Sequence, residues 1–66
     1  MKTYRLLVHE RAGDAPVELA AEMAHDARVV QFARDRVAAS KGVTAIEVWS
    51  GPVKLCEVGP EDLKAA

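Results

Sequence analysis

The chain has 66 residues, of which 50% are hydrophobic, with nine basic against ten acidic side chains and a net charge of −1. A length like this holds one domain and buries only about 60% of its unfolded surface, so its stability is of the order of 3–10 kcal/mol and small chains of this kind gain from a disulfide, a metal or a second subunit. Balanced charge without a basic block argues against general nucleic-acid binding, and no apolar run approaches the roughly 18 residues of a helical membrane span.

Cys56 is the only cysteine, so no disulfide can form within one chain. A lone thiol, with no basic segment leading into an apolar one near residue 1, gives the expectation of a cytoplasmic protein. Tyr4, Phe32 and Trp49 are the only aromatic residues, which leaves the core to valine, leucine, isoleucine and alanine.

Residues 3–9 alternate in a strand pattern, with Tyr4, Leu6 and Val8 on one face. Residues 17–23 alternate likewise, with Val17, Leu19, Ala21 and Met23 opposed to Glu18, Ala20 and Glu22. A hairpin across the loop at 11–16 that sets Val8 against Leu19 also sets Arg5 against Glu22 and His9 against Glu18, so apolar meets apolar and opposite charges meet. A single long helix over residues 16–40 is the alternative. It would point Glu18, Glu22, His25 and Asp26 into or beside its own apolar arc, so the pattern favours a strand followed by a helix that Asp26 caps.

From Ala27 the helical spacing brings Val29, Val30, Phe32, Ala33 and Val37 into one arc, with Arg28, Gln31, Arg34 and Asp35 opposite. Arg36 intrudes on the apolar side, and its long stem can reach water. Ser40, Lys41 and Gly42 end the helix, with Gly42 suited to a left-handed cap. Residues 43–49 and 53–58 flank the turn cluster Ser50-Gly51-Pro52 and make a second hairpin. Setting Val48 against Val53 pairs Ile46 with Leu55 and Glu47 with Lys54. Residues 60–66 are expected to be a frayed tail, or at best one helical turn.

The expected fold is therefore a two-layer α+β domain over residues 1–59: an antiparallel four-stranded sheet in the order strand, strand, helix, strand, strand, covered on one face by the helix. Strand, long helix, strand, strand is the alternative. The uncovered face would carry Leu7, Trp49, Cys56 and Val58 as an apolar patch among charged neighbours, and these four are the candidate interface.

Chemistry-bearing motifs are few. His9-Glu10 opens like a zinc-helix motif, but Gly13 occupies the place of the second histidine. His9, His25 and Cys56 are the only soft metal ligands and have no pair spacing, so no metal and no cofactor is expected. Cys56 with His9 as nucleophile and base lacks any orienting third group, and Ser40-Lys41-Gly42 lacks the glycines of a phosphate loop. Arg34-Asp35-Arg36 fits a solvated helix face. No catalytic residue is assigned.

Three segments resemble short alphaproteobacterial proteins of unknown function: Tyr4-Arg5-Leu6 at the opening strand, Asp26-Ala27 through Ala33-Arg34 at the helix, and Ala45-Ile46-Glu47-Val48-Trp49-Ser50-Gly51 in the second hairpin. Val48 stands where such proteins have leucine, and Pro52 follows the turn glycine. The resemblance covers residues 3–58 and implies the strand reading and a bacterial origin; it implies no activity. The functional expectation is a non-catalytic interaction module, a homodimer joined through the uncovered sheet face or a sheet edge, with an unidentified protein partner also possible. A small-ligand or regulatory protein with a pocket at a dimer seam is the alternative.

Overall fold

A computed structural model describes residues 1–11, 13 and 15–64, with side chains as far as Asp62. The elements are β1 (Lys2–Glu10), β2 (Val17–Met23), α1 (Asp26–Ala39), β3 (Val43–Ser50), β4 (Val53–Val58) and a short α2 (Pro60–Lys64). The strand-strand-helix-strand-strand order is thus observed, and residues 17–23 are strand. The four strands form one antiparallel sheet in the order β2-β1-β3-β4. Because β2 and β3 each run antiparallel to β1, they are parallel to one another, and α1 is the crossover that joins them.

The core lies between α1 and one sheet face. Tyr4, Leu6, Val8, Ile46 and Val48 from the sheet meet Val29, Ala33 and Val37 from the helix, all buried. The helical residues are four apart, one stripe of the helix. Two bulges adjust which strand residues face inward. Opposite the step from His9 to Glu10, Thr44 is the extra residue of β3, and its hydroxyl donates to the His9 carbonyl at 3.2 Å. That insertion lets both Val43 and Ile46 point into the core.

The second bulge is in β4. Ser50 pairs with Val53 across a two-residue turn, and the register then slips between Val48 and Trp49 so that Leu55 is the extra residue. Gly51 at the turn has φ +58°, and Pro52 follows. Positive φ at only the first central position belongs to the primed hairpin turns, which match the twist of the strands. Val48 consequently faces Cys56 and Ile46 faces Val58, in place of the expected Val53 and Leu55. Val53 is exposed, and Val58 is buried in the core.

The β1–β2 register is displaced by two residues from the expected one, with Val8 against Val17, Leu6 against Leu19 and Tyr4 against Ala21. An even displacement keeps every residue on its expected face but replaces Arg5–Glu22 by Arg5–Ala20, and His9–Glu18 by Leu7–Glu18. Of the 11–16 loop, Ala12 and Asp14 lie outside the described residues. His25, not Asp26, precedes the first helical residue and makes no side-chain cap; the Asp26 carboxylate instead accepts from Tyr4. Gly42 takes no left-handed conformation. The helix ends at an extended Ser40, and a turn closed by the Val43 N–H on the Ser40 carbonyl reverses the chain.

Pro60–Lys64 is a short helix, the second of the two forms expected for this segment; Ala65 and Ala66 lie outside the described residues. The Asp62 carboxylate accepts from the Gly59 N–H at 2.7 Å, while the Asp62 N–H donates to the Gly59 carbonyl. Pro60 opens the helix where its missing N–H costs nothing. Gly59 is buried against the Thr44 carbonyl, which a Cβ would approach to 3.2 Å, so its smallness seats α2 beside the start of β3.

Candidate functional site

The uncovered sheet face is assembled by the strand registers. Arg5 stands between Ala20 and Trp49, and Trp49 beside Lys54, giving one row across the sheet: Ala20, Arg5, Trp49, Lys54. Leu7 stands between Glu18 and Glu47, and Glu47 beside Glu57, giving the next row: Glu18, Leu7, Glu47, Glu57. Same-face residues along a strand are roughly 6.6 Å apart, so a cationic-aromatic row runs directly beside an acidic one.

Glu47 is the centre of this face. Its side chain is 17% exposed. His9 Nε2 lies 2.5 Å from Oε2, Trp49 Nε1 donates to Oε1 at 3.2 Å, and Lys54 Nζ stands 3.5 Å from Oε1. Lys54 also reaches Glu57 at 2.8 Å. The His9 contact, foremost, with those of Trp49 and Lys54, holds the Glu47 carboxyl below its ordinary range against the opposing pull of partial burial. An ionised carboxylate only accepts hydrogen bonds, so the short contact places the proton on His9 Nε2. Lys54, chiefly through Glu57, is held above the usual ammonium range. The Arg5 guanidinium carbon lies 6.0 Å from the centre of the Trp49 ring, within the outer limit of a cation–π contact.

Of the four candidate interface residues, Leu7 and Trp49 occupy this face, half-buried and adjacent to Glu47. Cys56 and Val58 do not. The β4 bulge turns them to the helix side, where Val58 belongs to the core and Cys56 packs against it. Burial is the main reason the Cys56 thiol is raised, with Asp62 adding to it and Lys54 opposing. His9 is on the opposite side of the sheet from Cys56, so the two make no nucleophile–base pair. Among the described residues no three acidic, histidine or cysteine side chains converge as a metal site, and no helix is long and apolar enough to cross a membrane.

The expected Glu47–Lys54 contact is present, but sequence reasoning missed His9 and Trp49 as partners of Glu47, because it gave His9 to Glu18. A signal was present: Glu47 and Trp49 are two apart on one strand and so share a face, within reach of a contact between indole N–H and carboxylate. Two hollows lie on the helix side. One of about 370 Å3 is bordered by Met23, Arg28 and Phe32, and one of about 100 Å3 by Val17, Leu19 and Arg36. Compared with known proteins, the chain matches no family model, no curated protein and no solved structure.

Proposed function

We propose that the chain is a small interaction module that pairs with a second copy of itself, open sheet face to open sheet face. The observation that carries this reading is the order of charge on that face: a row with Arg5, Trp49 and Lys54 beside a row with Glu18, Glu47 and Glu57. A second copy turned by half a revolution about an axis along the rows brings its acidic row over the cationic-aromatic one. Lys54 then faces the partner's Glu57, and Trp49 faces the partner's Glu47. Such a two-fold contact is isologous, so each pairing occurs twice. Leu7 and Trp49 supply the apolar centre, and the charged ends set the register. The helix-side hollows take no part in this reading.

Mass by light scattering over a concentration series tests it. Wild-type chain should approach twice the protomer mass, and raised salt should weaken the association. Lys54→Glu and Glu57→Lys should each give monomers, while the two together restore the dimer. A monomeric wild type at every concentration, or a dimer indifferent to either single exchange, overturns the reading.

A further inference from the structure

Each end of the sheet leaves a strand with one side of its backbone unpaired, and the two ends differ. At the β4 edge, Pro52 precedes the strand, Lys54 lies near its start and a bulge interrupts it. These are the usual devices that prevent another strand from adding. The β2 edge shares one of them, Pro16 directly before Val17, and lacks the other two. Its pairing with β1 runs in unbroken register from Lys2–Met23 to Val8–Val17, and Val17–Met23 contains neither proline nor lysine.

The two sides of β2 also differ in chemistry. On the helix side, Val17 is exposed, and Leu19, Ala21 and Met23 are only partly covered. Both hollows border this strip, one at the Met23 end and the other at Val17 and Leu19. On the open side stand Glu18 and Glu22, roughly 13 Å apart along the strand. Neither meets a cation within ion-pair distance among the described residues. In the face-to-face pairing described above, Glu18 meets the partner's Ala20 and gains none.

We infer that the β2 edge accepts an extended segment of another protein in which apolar residues alternate with lysine or arginine. Backbone pairing would extend the sheet by one strand, as in strand-addition recognition generally. Apolar side chains of the segment would continue the strip formed by Val17, Leu19, Ala21 and Met23. Its cations, at positions four apart, would stand beside Glu18 and Glu22. A second copy of β2 is a poorer occupant, because antiparallel pairing centred on Ala20 sets Glu18 against the partner's Glu22 at both ends. This inference concerns a different surface from the open face and does not depend on it.

The test is fluorescence anisotropy of labelled seven-residue peptides on the full chain. One peptide alternates valine with lysine, and its control alternates valine with glutamate. The lysine peptide should bind at least ten times more tightly than the control. Glu18→Lys with Glu22→Lys should reverse that preference, and circular dichroism should show the fold unchanged. Methylating alternate backbone nitrogens of the lysine peptide, in each of the two phases, should abolish binding in one phase. Equal affinity for both peptides, or full binding by both methylated forms, overturns the inference. So does a wild-type dimer that Lys54→Glu leaves intact and that Val17→Lys with Met23→Lys dissolves, because the edge would then be filled by a second copy.

Discussion

The Tyr4 hydroxyl donates to the Asp26 carboxylate at 2.5 Å, from a buried strand residue to the first residue of α1. Lys2 Nζ stands 3.8 Å from the same oxygen. This contact joins the second layer of the fold to the central strand at the point where the chain leaves the sheet. The hydrogen bond to Asp26, assisted by burial and by the carboxylate charge, raises the Tyr4 phenol to about 12.

Removing either end of that contact is expected to loosen the helix from the sheet. Tyr4→Phe keeps the packed ring and deletes only the donor. Its melting temperature should fall by roughly 4–8 °C, the shift that loss of one ordinary hydrogen bond brings in a domain this small. Asp26→Asn should lower the phenolate midpoint of the chain's only tyrosine, read by ultraviolet absorbance. In the wild type the contact favours the neutral phenol. Its stabilisation is complete below about pH 10, the ordinary phenol value, and is lost as pH rises toward about 12. A midpoint unaffected by Asp26→Asn would refute this account.

Glu47 gives the opposite dependence at the acid end. Its folded-state pKa is depressed from 4.5, first by His9 and then by Trp49 and Lys54. The stabilisation is therefore present above pH 4.5 and is lost as pH falls through the lower folded value. Urea denaturation at a series of acid pH values should show stability declining in this range, and Glu47→Gln should flatten that decline. At neutral pH the same substitution should lower the urea midpoint, because His9 and Lys54 lose their anionic partner. A Glu47→Gln curve parallel to the wild type throughout would remove Glu47 as a source of the acid sensitivity.

Much of this fold was legible in alternation alone. The strand pattern of 17–23 outweighed the helix preference of its alanines and glutamates because a helix would have turned Glu18 and Glu22 toward the core. Burial of Tyr4, Leu6 and Val8 follows from period two, and burial of Val29, Ala33 and Val37 from the helical period. Strand order was not legible, because alternation fixes which face a residue takes and not which strand lies beside it. Two of the four candidate interface residues, Cys56 and Val58, lie on the helix side for a local reason. Alternation continued unbroken from Val53 and Leu55 leaves Cys56 and Val58 outside and sends Glu57 into the core. That buried carboxylate was the sign of an extra residue in β4. The bulge at Leu55 resolves it, sending Glu57 out to Lys54 and Val58 in.

Gly51 holds the turn that sets this register. Its φ of +58° is costly for a residue with a Cβ, although a Cβ there would meet nothing within 4 Å. Gly51→Ala should therefore cost about 1 kcal/mol through backbone conformation alone. Equilibrium urea unfolding measures it. A cost near zero would mean that the turn relaxes to another geometry, and that Ser50–Val53 pairing is not what fixes β4.

The bulge also makes Val58 and Trp49 respond in opposite ways to the same change. Val58 is 5% exposed and packs in the core below α1, whereas Trp49 stands half-buried on the open face. Val58→Lys would place an unpaired ammonium in a core that holds no buried polar or charged side chain among the described residues, at a cost of several kcal/mol. The whole chain is stabilised by only about 3–10 kcal/mol, so this variant should be largely unfolded by circular dichroism at 25 °C. Trp49→Lys should keep a folded spectrum. Cys56 offers an independent reading of the same geometry. Its raised pKa and helix-side position should make it react with a disulfide reagent at pH 8 at least ten times more slowly than free cysteine, with the difference vanishing in concentrated urea. A folded Val58→Lys variant together with a fast-reacting Cys56 would return both residues to the open face and restore an unbulged β4.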